Sequence, residues 1–508
     1  MSCTNCGFSV LSSAAIPAAP HPELLISGVP SESQTAEIEA AIALAGQNIT
    51  AVDAEMEGLQ KALEDHSARR RELEEFSLKH QAALSAIRKL PAEVLGEIFS
   101  WCRDADYDGE LRFDPKWIVT RVCRTWRAAA VSTPRMWDEI QVGSALYTSE
   151  ACLVLLLSQQ IQWSGQLPLS VKWSGPYNPS PAVTHSLVDL FLSVAHRWRS
   201  ANLWLGRSEY WIPAADSEYH ILAEFTGSFP ILQKLEFCDT LVTEIPASLS
   251  TIFRASPLLQ HLKLPLCYRP ALHHFPWTQL KTCHFPACTA PDIAEVLRLT
   301  SNIVNVSIEG YHRDAWHHGD ERPASVTIPT LQTLTVSTYG LESGTLLGAL
   351  VTPALQRLTV EKCTLNHHQI LDFLSHCVLT HLKLDDVDLA TDGLLAMLVL
   401  LPHLIDLVLH GTVDTHISPS FVKALTCVPG RRPPSLVPHL ASLSLAGLFR
   451  CPNRVILDML RSRNAATGSG ALRKVIFVPL YVSPVIPAVD ELRAEGLDVT
   501  CVQPEKTL

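Results

Sequence analysis

The sequence predicts an α/β solenoid preceded by a small all-α module and a long N-terminal helix, on three observations. Residues 139–508 carry a leucine pattern that recurs at intervals mostly in the twenties. Residues 89–138 hold two amphipathic helical stretches separated by an acidic loop. Residues 38–63 place apolar side chains at alternating spacings of four and three. The 508-residue chain is 47% apolar, enough for a large core, and its net charge of -11 argues against whole-chain affinity for phosphate backbones.

Residues 1–33 are rich in Ser, Pro and Ala and aperiodic, which predicts a disordered tail. Cys3 and Cys6 lie there with C-x-x-C spacing but without a second pair or a strand–helix context, so they are read as part of the tail and not as a zinc or redox site. A helix is predicted over 34–88. Its seam runs Ile38, Ile42, Ala45, Ile49, Val52, Met56, Leu59 and Leu63, with Glu and Lys on the outer face. Continued in register, the seam meets His66, Arg70, Leu73, Ser77, His80, Leu84 and Ile87, and so frays. Gly46 and Gly58 each weaken the helix by about 1 kcal/mol relative to Ala. Two readings stay open: a helix folded back on its own chain, or a homodimer formed through residues 38–63.

In "IRKLPAEVLGEIFSWCR" (87–103), Pro91 suits the first turn of a helix, and Val94, Leu95, Ile98 and Phe99 share one face. Residues 103–116 are acidic and turn-rich. A second helix is predicted from about Trp117 through Val131, with Val119, Val122, Cys123 and Trp126 on one side and Arg121, Arg124 and Arg127 elsewhere around it. "STPRMW" closes the unit at a proline break. The order Leu90-Pro91-x-Glu93-Val94-Leu95-x-x-Ile98-Phe99, Val122-Cys123-x-x-Trp126 and Pro134-x-x-Trp137 resembles an F-box. It resembles in particular the form common in large fungal, basidiomycete-type F-box families, where "VCRTWR" and "STPRMW"-like stretches recur. The likeness covers residues 89–138 and departs from the compact pattern in its longer acidic loop.

Beyond it, "FPILQKLEF" (229–237), "SPLLQHLKL" (256–264), "IPTLQTLTV" (328–336), "TPALQRLTV" (352–360), "VLTHLKL" (378–384), "LPHLIDLVL" (401–409) and "VPHLASLSL" (437–445) vary one L-x-x-L-x-L theme. The widest gap between central leucines, Leu262 to Leu334, contains two degenerate copies at 277–285 and 300–308. Strand-plus-helix units of this period cannot bury their leucines alone, so they are expected to stack as irregular leucine-rich repeats over 139–508. Further strands are expected at "DEIQV", "LPLSVKW" (167–173) and "ANLWL" (201–205), with helices near 149–162 and 181–196. "PGRRPP" (429–434) reads as a loop, and "LRKVIFV" (472–478) as the last strand or a cap.

The chemistry that would mark an enzyme is missing from the motifs. The chain has no G-x-S-x-G, G-x-x-x-x-G-K-[ST], H-E-x-x-H or G-x-G-x-x-G. "TGSGAL" reads as a surface loop. The adjacent His pairs 273–274, 317–318 and 367–368 diverge on a strand or helix and do not suggest a shared metal. No catalytic residue, metal site or cofactor is therefore expected. The fourteen cysteines are scattered, mostly beside leucines, as reduced core residues would be. The longest apolar run, Leu394 to Leu401, is too short to span a bilayer. A soluble protein of the cytoplasm or nucleus is expected, with no membrane or nucleic-acid partner.

The F-box likeness implies docking on a Skp-type adaptor and, through it, on a cullin–RING ubiquitin ligase, with the repeats holding a protein substrate of unknown identity. The adaptor-binding candidates are Leu90, Pro91, Val94, Leu95, Ile98, Val122, Cys123, Trp126 and Trp137; some of these must instead be internal core. The substrate-binding candidates are the variable positions between the leucines: Lys234, Glu236, His261, Lys263, Arg357, His381, Lys383 and Asp406. The alternative is a leucine-rich-repeat interaction scaffold with no ligase role.

Overall fold

The computed structural model describes residues 16–102, 114–142, 150–173, 181–203, 228–237, 251–264, 274–286, 288–310, 324–338, 344–363, 365, 367–387, 389–411, 416–427, 436–449, 451–464, 471–479, 489–494 and 496–501. Cys3 and Cys6, the acidic loop over 103–113, the His pair 317–318 and the "PGRRPP" loop lie outside them. The chain divides into two compact units, Met1–Pro91 and Ala92–Leu508.

The first unit is dominated by one helix, α1 (Glu32–Leu84), 53 residues long. Ser31 begins it with a capping box: its hydroxyl accepts from the Gln34 amide while the Gln34 side chain accepts from the Ser31 amide. Ion pairs Arg69–Glu72, Arg70–Glu74 and Glu75–Lys79 brace its outer surface. The helix stops at Leu84, so Ile87, the end of the extended seam, falls in the short 3-10 turn Ala86–Lys89. No side chain along α1 is buried.

The second unit opens with three short helices, α2 (Ala92–Ser100), α3 (Pro115–Val122) and α4 (Arg124–Val131). The single helix expected over 117–131 is in fact two. Cys123 is extended (φ -160°, ψ 171°), and its sulfur accepts the Trp126 amide at 3.5 Å as an N-cap for α4. Asp114 caps α3 in the same way, accepting from the Lys116 amide at 3.0 Å, and Pro115 occupies the first turn.

A large parallel sheet follows. Its strands are β1 (Glu139–Val142), β2 (Leu169–Trp173), β3 (Trp198–Leu203), β4 (Lys234–Phe237), β5 (His261–Lys263), β6 (Thr282–Pro286) and β7 (Asn305–Gly310). After the short β8 (Val326–Thr327) come β9 (Thr333–Thr338), β10 (Leu350–Val351), β11 (Arg357–Glu361), β12 (His381–Asp385) and β13 (Asp406–His410). The series ends with β14 (His416–Ile417), β15 (Ser442–Phe449), β16 (Lys474–Pro479) and β17 (Asp498–Cys501). Along the main sheet each strand pairs with the next in chain order, except that β13 pairs with β15 and β14 joins β15 off that path; β8 and β10 pair separately. Helices such as α5 (Glu150–Trp163), α6 (Pro181–Ser193), α7 (Ala290–Leu299) and the segments His367–Ser375, Thr391–Val399 and Asn453–Asn464 supply the crossovers that parallel pairing requires. The strand at 474–479 is not the last: β17 pairs beside it.

Register explains the leucine pattern. Ile140, Val171, Ala201, Leu235, Leu262, Cys283, Val306, Leu334, Leu358, Leu382, Leu407, Leu443, Val475 and Val499 occupy one continuous row, every member buried. The degenerate copies at 277–285 and 300–308 thus enter the row through Cys283 and Val306. Where the intervals are longer, aromatic side chains fill the interior: Trp198 meets Phe229, Phe229 meets Phe253, and Phe237 meets Phe275, with ring centroids 4.9–6.2 Å apart. Lys362 and Asp386, each just past a strand and both at φ 55°, donate to the next strand at Asp385 O and His410 O, both 2.8 Å. The same left-handed turn thus recurs at the ends of β11 and β12.

Candidate functional site

Two surfaces hold the residues singled out by the sequence. The first is the three-helix segment. Its interior is Leu95, Phe99, Trp117, Val119, Ala129, Ala130, Met136 and Trp137. Phe99 of α2 meets Trp126 of α4 at 4.9 Å between centroids. Trp137 packs edge-on to Trp117 at 5.0 Å and to Trp163 of α5 at 4.7 Å, and its indole N–H donates to Ala130 O at 2.9 Å. The Lys116 ammonium, paired with Asp114 at 3.1 Å, also reaches Glu139 O of β1 at 3.5 Å. These contacts continue from the helices into the first strand and its helix, all within the second unit.

Of the adaptor-binding candidates, Leu95 (1% exposed) and Trp137 (0% exposed) lie in the interior of the segment, among the core residues expected within the set. Val94 and Ile98 remain exposed on α2, as do Val122 and Cys123 around the α3–α4 break; Trp126 is half-buried. In the first unit, Leu90 is half-buried and Pro91 exposed. Two exposed apolar side chains escaped the sequence reading. Trp101, 82% exposed, extends Val94 and Ile98 into an i, i+4, i+7 stripe, and Ile118 forms an i, i+4 stripe with Val122. Spacing could have found both, but only burial tells such a stripe from a core face. Arg121, Arg124 and Arg127 are solvent-facing.

Gly96 sets how closely the helices approach. A Cβ there would collide with the Thr133 hydroxyl, which donates to Ala129 O at 2.8 Å and belongs to a stiff β-branched side chain. Gly96→Ala would ordinarily gain about 1 kcal/mol of helix propensity. Here the overpacking cost of about 1–3 kcal/mol outweighs that gain. The variant is expected to melt below the wild type in a calorimetric scan; a raised Tm would refute the close packing.

The second surface is the face of the sheet opposite the leucine row. All eight substrate-binding candidates lie on it in two rows. Lys234, His261, Thr282, Asn305, Thr333, Arg357, His381 and Asp406 are register partners. Glu236, Lys263, His284, Ser307, Thr335, Thr359 and Lys383 form the second row. The charges gather at two places with a hydroxyl and amide band between them. At one, Lys234 pairs with Glu236 at 2.9 Å, Asn202 donates to Glu236 at 3.3 Å, and His284 sits 3.2 Å from Glu309. At the other, Lys383 contacts Glu361 at 2.6 Å and Asp385 at 3.1 Å, and His410 lies 3.8 Å from Asp385.

Burial holds the His261, His284 and His381 pKa values below the usual histidine value; Lys234 lowers His261 further, and Arg357 lowers His381. The shift favours the neutral imidazole at each of the three. The hydrogen bond to Glu361 raises the Lys383 pKa, so its ammonium stays charged. Asn202, His284, Glu309, Glu361, Asp385 and His410 were missed by the sequence reading. Except for Asn202, which lies in the expected strand at 201–205, they follow the L-x-L core of a motif or belong to or follow its degenerate copies, where a single sequence offers no signal.

Among the described residues no three or more His, Cys, Asp or Glu side chains are grouped to hold a metal, and no helix is long and apolar enough to cross a membrane. Neither a model of a known family nor the sequence of a characterised protein matches this chain.

Proposed function

We propose that the chain is a substrate-recognition adaptor of a Skp–cullin–F-box ubiquitin ligase, with α2–α4 as the F-box and the strand–helix array as an irregular leucine-rich-repeat solenoid. The observation that carries this reading is the apolar stripe Val94, Ile98 and Trp101, left exposed on α2 and just past its end while Leu95 and Phe99 of the same helix are buried. A short helical segment with a spare apolar face is suited to burial against a partner. The F-box likeness of residues 89–138 names that partner as a Skp-type adaptor. The polar sheet face, carrying both signs of charge and a band of hydroxyls, suits a protein substrate whose side chains pair with it. The chain itself then performs no chemistry and raises the local concentration of substrate beside the ligase.

Titration calorimetry of the full chain against a Skp-type adaptor tests this. The double variant Val94→Glu/Ile98→Glu is expected to bind about thirty-fold or more weakly, as loss of a hot spot worth roughly 2 kcal/mol implies. Its melting temperature should stay near the wild-type value, because both side chains already face water. A wild-type chain that does not bind the adaptor, or a variant that binds it equally well, overturns the docking reading and favours a repeat scaffold without ligase role.

A further inference from the structure

The 53-residue helix α1 buries none of its side chains. Its apolar residues nevertheless follow a two-position register. With Ile42, Ile49, Met56 and Leu63 at a, the d positions are Ile38, Ala45, Val52 and Leu59. The a side chains are the open ones: Ile42 is 65% exposed, Ile49 61%, Met56 61% and Leu63 68%. Val52 and Leu59 are exposed beside them, and Ile38 and Ala45 are half-buried.

We propose that this seam is the interface with a second copy of the same chain, a parallel two-stranded coiled coil over residues 38–63. Three features favour that occupant over a groove on another protein. A strict four-three alternation is the narrow stripe of supercoiled helices, whereas a helix lying in a globular groove presents a wider face of period 3.6. β-Branched Ile42 and Ile49 at consecutive a positions suit a pair of parallel strands where d is unbranched at Cβ, as at Ala45 and Leu59, while Ile38 and Val52 at the other d positions are β-branched.

The flanking positions also allow self-pairing, since they bring no like charges together. In a parallel in-register pair each g side chain faces the e side chain of the next heptad on the other copy. Asn48 then meets Asp53, Glu55 meets Gln60, and just beyond the seam Arg69 meets Glu74, with no like charges opposed. The seam spans about 39 Å of helix. Past Leu63, His66 and Arg70 take the next d and a positions, and Arg70 would face its own copy, which ends the apolar seam.

Sedimentation of the full-length chain at micromolar concentration is expected to give twice the 55.9 kDa of one chain. Ile49→Asp puts a charge into an a layer and is expected to raise the dimer dissociation constant at least a hundred-fold, while Ala54→Asp on the outer face leaves it unchanged. Ala45→Cys should yield a 45–45 disulfide between copies under mild oxidation, found by peptide mapping; this also covers the case in which Ile49→Asp unfolds the helix. A monomer or trimer mass for the wild type, an unchanged constant for Ile49→Asp, or no 45–45 link overturns the proposal. None of these readouts depends on adaptor binding.

Discussion

Arg463→Met is expected to destabilise the C-terminal part of the second unit by about 3–5 kcal/mol. Arg463 is 0% exposed on the helix Asn453–Asn464. Its guanidinium donates to Leu425 O at 2.6 Å, Leu436 O at 2.6 Å and Val437 O at 3.1 Å. Leu425 is the last residue of the helix Pro419–Leu425, where the carbonyl end of the dipole favours a cation. Val437 takes a left-handed conformation (φ 47°) just before β15. One side chain thus ties a helix end to the backbone that leads into β15.

Burial lowers the Arg463 pKa, yet a guanidinium stays charged at any ordinary pH, so its charge is met in the interior by carbonyl dipoles. Methionine fills much of the volume but takes away the guanidinium donors of Leu425 O and Leu436 O, and leaves Val437 O with the Leu440 amide alone. Lysine keeps the charge but lacks the planar fork that reaches three acceptors at once, so Arg463→Lys should recover only part of the loss. Denaturant titration gives the magnitude. Limited proteolysis should show faster cleavage around 426–441 in the methionine variant. A midpoint equal to the wild type would mean that these carbonyls find other donors.

Trp137→Ala is expected to cost about 3–5 kcal/mol, the range for truncating a buried large aromatic residue. The indole is fully enclosed, touches Trp117 and Trp163, and donates to Ala130 O near the end of α4, which also accepts from the Thr133 amide. Its loss opens a cavity where α3, α4, the turn before β1 and α5 converge. Trp137→Phe keeps the ring packing and drops the hydrogen bond, so it should cost only about 1–2 kcal/mol. Thermal and denaturant unfolding check both variants. The pattern across the segment is as informative as either value. Trp137→Ala should lose stability first and docking only in proportion to unfolding, whereas Val94→Glu/Ile98→Glu should lose docking with stability intact. Equal stability effects from the two would dissolve the distinction between core and contact drawn here.

Local pattern carried most of the architecture. The L-x-x-L-x-L stretches are strands because alternating side chains face opposite sides of a sheet, and the central leucines of seven motifs fall in one buried row. The seam at 38–63 is helical for an equally local reason, and the capping box at Ser31 and Gln34 is written in adjacent residues. The break at Cys123 was not legible, because no proline or glycine marks it; an ordinary cysteine turns extended to cap the next helix. Nor was β17, whose "DVTC" is too short to carry a period.

The candidate surfaces divide along the same line. The sequence by itself determined which residues are apolar, which are charged, and which share a helix or strand face, since those depend on spacing along one backbone. The tertiary structure alone decided that Leu95 and Trp137 lie inside while Val94, Ile98 and Trp101 lie outside. It alone set Lys383 between Glu361 and Asp385, and His284 beside Glu309. The physical reason is that burial and pairing are set by neighbours distant in sequence. A stripe of apolar side chains looks the same on paper whether another helix covers it or water does.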